Sequence, residues 1–385
     1  MLATKRYLLA IGSFIAISAA SLLALSNSAS AEVKIGVFGP MSGDAAAFGQ
    51  AERRGVDFAV NRKNATGGVL GQKIVAIYDD DAGKPEQAVS VAKRLTTRDE
   101  VVILLGSISS PASFAVSQVA AEQETPQIVV GGTAQKITTQ GNPWIFRSAV
   151  PDTKFAADLV DFIHERFPDK KQVGFIYVND DFGKGGVDAF KARAKTYGME
   201  FVAEEKYTRG DIDFTSQLSR IKAAGADILV DWSRYTESAL IQKQYKQMGL
   251  DILRFGSDGQ ALPKFRELAG DAANGMYYAT HFSMATIGNL PAAQSFGKEF
   301  RATYGKDPDF IDAEAYDAAT AAILAIEKAG KVDRTAVRDA LRHVQFDGTR
   351  GHFAFDNKGD PTFTAHIVLV KDGQETNGRD TPLQK

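Results

Sequence analysis

The chain has 385 residues and no cysteine, with 45 Lys and Arg against 47 Asp and Glu and a formal net charge of −2. Hydrophobic residues at 44% and charged residues at 24% are ordinary globular values, which excludes a disordered or fibrous chain. The missing cysteine excludes disulfides, thiolate zinc sites, Fe–S clusters, a catalytic thiol and a lipid anchor on an N-terminal Cys, and the near-neutral charge gives no reason to expect nucleic acid as a partner.

Residues 1–31 read as a cleaved export signal. Lys5 and Arg6 form a positive start, Tyr7 to Leu25 is almost uncharged and apolar, and Ala29-Ser30-Ala31 supplies the small residues that signal peptidase needs before Glu32. A transmembrane anchor is the alternative, because the apolar stretch is nearly long enough to span a bilayer. No later window holds about 18 uncharged apolar residues, so the remainder is expected to be soluble. With no cysteine to lipidate, the expected location is free in a periplasm.

From Val33 onward short apolar runs alternate with amphipathic segments of helix length. Val33–Phe38 reads as a strand, Asp44–Asn64 as a helix, Ile74–Tyr78 as a strand and Pro85–Arg98 as a helix with apolar Ala88, Val91, Ala92 and Leu95 on one face. Val101–Leu105, the helix Pro111–Gln123 and the strand Gln127–Val130 complete the first unit. Pro143–Asp152 breaks the rhythm. It resumes with helix Thr153–Phe167, strand Val173–Val178, helix Gly185–Tyr197, strand Phe201–Tyr207, helix Phe214–Ala224, strand Ile228–Trp232, helix Glu237–Met248 and strand Leu253–Phe255. A strand near Met276–Thr280 follows, then helices near Ala292–Tyr304, Ala313–Ala329 and Arg334–His343, and a hairpin pairing His352–Phe355 with His366–Val370. Strands apolar on both faces and alternating with helices predict two α/β units with parallel sheets covered on both sides, and a cleft between two such lobes suits a ligand.

No catalytic or cofactor motif stands out. Asp181-Phe182-Gly183-Lys184-Gly185-Gly186 lacks the spacing of a dinucleotide loop and reads as a turn with a close backbone approach. No phosphate-cradling loop occurs. Gly106-Ser107-Ile108-Ser109-Ser110 has Ser where a nucleophile elbow needs Gly, and the five histidines include no i, i+4 pair. Ser107, Ser109 and Ser110 read instead as hydroxyls at a helix N-terminus, placed either to receive a carboxylate or simply to cap the helix. Asp79-Asp80-Asp81 reads as a solvated strand end and not as a cation site. No metal and no cofactor is expected.

Several stretches occur in a telling order: Gly39-Pro40-Met41-Ser42-Gly43, Phe48-Gly49, Asn64-Ala65-Thr66-Gly67-Gly68-Val69-Leu70-Gly71, Tyr78-Asp79-Asp80, Ile145-Phe146-Arg147, Asp181-Phe182-Gly183, Tyr207 to Phe214, Gly225-Ala226-Asp227 and Gly256-Ser257-Asp258-Gly259. Together they resemble the periplasmic binding proteins for branched-chain amino acids that serve ABC importers. The resemblance implies the α/β type I periplasmic-binding fold, two doubly wound parallel-sheet lobes joined by three crossovers and closing on a ligand. The expected lobes are residues 32–149 with 281–350 and residues 150–280 with 351–385, with hinges near 149–151, 280–281 and 350–351.

By the same resemblance, the Ser110 hydroxyl, backbone near Gly131 and the Thr133 hydroxyl would receive a ligand α-carboxylate, and Asp258 its α-ammonium. Phe48 would shape the side-chain pocket, and Phe182 stands where relatives often carry Tyr. Trp232-Ser233-Arg234 departs from the Gly-rich, Tyr-containing stretch of amino-acid-binding relatives. Arg234 in the cleft would favour a second carboxylate, or a carboxylate in place of the amine, and Trp232 could stack on an aromatic acid. The alternative is that Arg234 pairs with Glu237 and Trp232 belongs to the core. The implied function is a monomeric, non-enzymatic receptor that hands an amino acid or small carboxylate to an ABC permease in the inner membrane. A ligand sensor signalling through another membrane protein is the runner-up, and an exported hydrolase using Ser107–Ser110 is a distant third.

Overall fold

A computed structural model describes residues 32–287 and 289–380. The proposed export signal lies outside the described residues. The first sheet has the order β2-β1-β3-β4-β5 and is parallel throughout, formed by β1 (Val33–Gly39), β2 (Ile74–Asp80), β3 (Ile103–Gly106), β4 (Gln127–Val129) and β5 (Ile145–Arg147). Helices α1 (Ala46–Ala65), α2 (Pro85–Thr97) and α3 (Ser110–Glu122) connect its first four strands. Pro85 begins α2, where its missing N–H costs nothing, and Ala88, Val91, Ala92 and Leu95 are buried as their spacing requires.

After β5 the chain enters the second lobe through α4 (Asp152–Arg166). It continues as β6 (Gln172–Val178), α5 (Asp181–Ala194), β7 (Glu200–Tyr207), α6 (Thr215–Ala223), β8 (Ile228–Trp232), α7 (Tyr235–Gln247), β9 (Leu253–Gly256), α8 (Pro263–Ala269) and β10 (Tyr277–Thr280). It continues with α9 (Met284–Ile287), α10 (Pro291–Tyr304), α11 (Phe310–Ala329) and α12 (Arg334–Leu341). Helix α11 lies against α1 so closely that a Cβ on Gly55 would stand 2.4 Å from the Asp312 carbonyl. Arg54 clamps the pair with bonds to Asp309 and Asp312.

The structure departs from the sequence pattern at the terminal hairpin and at the glycine cluster. Residues 352–355 do not pair with 366–370. Instead β11 (Gln345–Gly348) and β12 (Gly351–Ala354) form their own hairpin, and β13 (His366–Lys371) pairs antiparallel with β10 on one side and β14 (Gln374–Asn377) on the other. The second sheet, β14-β13-β10-β9-β8-β6-β7, is therefore parallel with an antiparallel edge. The glycine cluster after β6 is helical and not a turn: Asp180 caps α5 by accepting from the Phe182 and Gly183 N–H groups. Its close approaches are real, since a Cβ on Gly186 would lie 2.1 Å from the Trp232 ring. Gly186→Ala is expected to lower stability by about 1–3 kcal/mol through overpacking, read as a fall in Tm.

Candidate functional site

The carboxyl ends of both sheets face one another, and the loops leaving them line a cleft with about 480 Å³ of empty space, part of it open to solvent. This is the usual position and size for a small-molecule site on open α/β sheets. Of the eight residues singled out above, Phe48, Ser110, Gly131, Phe182, Arg234 and Asp258 line it; Thr133 and Trp232 do not.

Ser110 is the first residue of α3, whose N-terminus carries no side-chain cap. Its Oγ accepts from the N–H groups of Thr133 (3.2 Å) and Ala134 (3.3 Å). Two N–H donors on one hydroxyl oxygen leave the O–H free to donate, so Ser110 is oriented to meet an anion. The Thr133 hydroxyl instead lies against the buried Asp152 carboxyl, which burial pushes up to about 8. The 132–134 loop is held from behind by Arg147, which is fully buried. Its Nη1 donates to the carbonyls of Gly132, Thr133 and Ala134 at 3.3, 2.8 and 3.0 Å, and its Nε and Nη2 donate to Asp360 at 2.9 and 2.6 Å.

On the opposite wall Asp258 follows β9. It is 5% exposed, its Oδ1 has no hydrogen-bond partner, and burial pushes its carboxyl up to about 6 against the opposing pull of His281. Arg234 leaves the end of β8. It donates to Asp180 at 2.7 Å and lies over the Phe182 ring at 5.3 Å, while its Nη1 is buried without a partner. Its ion pair is thus with Asp180 and not Glu237, which accepts from the Gly210 N–H. Trp232 is fully buried behind the cleft, stacked on Phe175 at 6.0 Å and edge-on to Phe155 at 6.1 Å, so the stacking surface expected of it is spent on the core.

Sequence reading passed over the residues that bridge the lobes. Arg209, after β7, binds Asp44 of the first lobe with both arms (3.0 and 2.5 Å), reaches the Gly83 carbonyl and lines the cleft. The same guanidinium holds the Asp44 carboxyl below its ordinary range. Tyr235 and Thr236 donate to the Asp44 carbonyl at 2.5 and 3.1 Å, and Phe48 packs 5.0 Å from Tyr235. The signal for Arg209 was a cation in a Gly-containing loop at a strand's carboxyl end; its partner, 165 residues away, left no local trace. Because Arg209 and Asp44 are partly exposed, the pair is worth about 1 kcal/mol or less, and Arg209→Ala is expected to lower Tm by no more than a few degrees.

The triple aspartate is built into the fold more than a solvated end would be. Asp79 pairs with Arg94, Asp80 accepts from the Met41 and Ala82 N–H groups, and Asp81 is buried and accepts from the Gly83 N–H. Among the described residues no group of three or more His, Asp or Glu could hold a metal, and no helix is long and apolar enough to cross a membrane.

A family model described as periplasmic binding protein matches residues 32–375. The leucine-, isoleucine-, valine-, threonine- and alanine-binding protein of Pseudomonas aeruginosa is 31% identical over 333 residues, 85% of this chain and 87% of that protein. The leucine binding protein LivK of Thermotoga maritima superposes with a TM-score of 0.84 at 28% identity, over 91% of this chain and all of its own. LivJ of Streptococcus pneumoniae, solved with isoleucine, superposes with a TM-score of 0.83 at 28% identity, over 90% of this chain and 98% of that chain. With this fold, this sequence match and a cleft between two α/β lobes, the chain belongs to the periplasmic binding protein family.

Proposed function

We propose that the protein is the extracytoplasmic solute receptor of an ABC importer and binds an amino acid between its lobes. The observation that carries this reading is the cleft's two unlike ends: the free O–H of Ser110 and an uncapped helix N-terminus on one wall, and the buried, unpartnered Asp258 Oδ1 on the other. An α-carboxylate suits the first and an α-ammonium the second. Phe48, Phe182, Phe310, Ile108 and Ile311 supply the apolar surface for a side chain. The naming of relatives for leucine, isoleucine and valine supports the same class. The unpartnered Arg234 Nη1 favours, as a second reading, a ligand that ends in an oxygen acceptor, either a dicarboxylic or an aromatic acid.

In this reading the lobes comprise residues 32–149 with 281–350 and residues 150–280 with 351–385, and Arg209–Asp44 is a contact of the closed form. Ligand bound to both walls stabilises that form, which a permease then recognises. The protein works in a periplasm, without a lipid anchor, as a monomer and not as an enzyme.

A thermal-shift panel of amino acids, their amides, aromatic acids and dicarboxylic acids tests the class. A ligand at about 100 times its Kd should add roughly 2.7 kcal/mol, several degrees of Tm. An ammonium needs Asp258 ionised, and burial in the closed, unliganded cleft pushes its carboxyl up to about 6. Affinity for an amino acid is therefore full above that pH and is lost as pH falls through it, by up to about tenfold per unit for one proton, measurable by calorimetry. A panel with no stabilising member, or affinity for amino acids that rises toward pH 5, contradicts the reading.

A further inference from the structure

Each of the three segments joining the two sheets contributes a residue to one buried polar chain. Ser148 follows β5 in the first, His281 follows β10 in the second, and Arg350 stands between β11 and β12 in the third. All three are buried. Helix α11 supplies the acids between them. Glu314 Oε1 faces His281 Nδ1 and lies 3.3 Å from Arg350 Nη1, and Asp317 Oδ2 accepts from Arg350 Nε at 3.0 Å. Arg350 donates to the Ser148 carbonyl at 3.0 Å and to its Oγ at 2.7 Å, and Ser148 Oγ donates to the Glu314 carbonyl at 3.0 Å. At the other end His281 Nε2 stands 3.9 Å from Asp258 Oδ2, on the acid that lines the cleft.

The chain Asp258–His281–Glu314–Arg350–Ser148 thus starts in the ligand cleft and ends at the pivots. Three of its atoms, Asp258 Oδ1, His281 Nε2 and Glu314 Oε2, are buried without a hydrogen-bond partner, an arrangement that a new charge in the cleft can reorganise. Two acids compete for one imidazole, Asp258 on the Nε2 side and Glu314 on the Nδ1 side. A cation seated on Asp258 removes one competitor and biases the ring toward Glu314, which holds Arg350. Phe155 and Phe310 clamp the ring edge-on at 4.8 and 5.8 Å, so a shift is passed along the chain and not absorbed by rotation.

We propose that His281 is a positioning residue that transmits the occupation of Asp258 by a ligand cation to the hinge, so that binding and lobe closure are coupled through Glu314 and Arg350. This rests on the reading of Asp258 as the ammonium-binding acid. The charged and titratable groups around the pair are Glu314 and Asp317 on α11, Arg350, Asp152 on α4 and His366 on β13.

The test is calorimetric titration, from pH 5 to 8, of the panel's best amino acid into the wild type, Asp258→Asn, His281→Gln and Glu314→Gln, with small-angle scattering at saturating ligand. His281→Gln should weaken binding roughly 5- to 150-fold, the range of a coupling between sites. It should also move the pH midpoint of affinity upward, since the histidine favours the charged form of Asp258, and leave a larger open fraction. Glu314→Gln, which keeps the imidazole beside Asp258, should reduce closure at saturation more than it reduces affinity; if His281→Gln does not fold, that closure deficit decides the matter. Wild-type closure in Glu314→Gln, or a wild-type pH midpoint in His281→Gln at any affinity, overturns the proposal alone. Binding unaffected by Asp258→Asn overturns the functional reading and this proposal with it.

Discussion

Asp258→Asn is expected to cut the thermal response to amino acids to about a third or less while leaving the unliganded protein at least as stable as the wild type. A buried hydrogen-bonded charge pair loses roughly 2–5 kcal/mol when one partner is removed, a weakening of about 30-fold to several thousandfold. The stability of the unliganded variant is set by proton linkage. The folded-state carboxyl is pushed up to about 6, above the roughly 3.9 of an unfolded Asp. The folded chain therefore holds the proton more tightly, and Asp258 costs stability as pH rises through that window and above it. Asparagine never ionises and removes that cost. A variant with undiminished Tm and a sharply reduced ligand response separates recognition from folding; calorimetry and a melt on the same sample measure both.

Arg147→Met is expected to cost about 3–5 kcal/mol of stability, because it leaves Asp360 buried without its cation. The change strips donors from three consecutive carbonyls as well. For a chain of this size the fall in Tm is on the order of 5–15 °C. Affinity should fall too, since the 132–134 backbone that Arg147 holds donates two N–H groups to Ser110. Arg147→Met combined with Asp360→Leu should regain part of the loss, as replacing a whole buried pair is far milder than breaking it. A single variant with wild-type Tm contradicts this account of the loop.

Most of the architecture could be read from local pattern. Ile228-Leu229-Val230 is apolar and buried on both faces, and so short a run between two helix-length amphipathic segments reads as a central strand. The short elements escaped: β5 is three residues, too few for a period, and α8 is seven. Pairing β12 with β13 is the local solution for two neighbouring strand-like runs, while the partners of β13 are β14 and, some ninety residues earlier, β10. The site divides in the same way. Ser110, Gly131 and Asp258 stand at strand ends inside local motifs. Arg209, Phe310 and the His281–Glu314–Arg350 chain have meaning only through partners from distant segments, which one sequence does not display. Trp232 shows the converse: a large ring beside the cleft in sequence, drawn into the core by the space that Gly186 leaves.

In the proposed mode of binding, the two walls of the cleft recognise the two charged ends of one amino acid. This mode is tested most directly by titrating the best amino acid of the panel beside two relatives of identical side chain, one without the α-ammonium and one with the α-carboxylate as an amide. Both are expected to lose about 2 kcal/mol or more, with the deaminated acid indifferent to Asp258→Asn and the amide still sensitive to it. Equal affinity of the deaminated acid and the parent amino acid would contradict it.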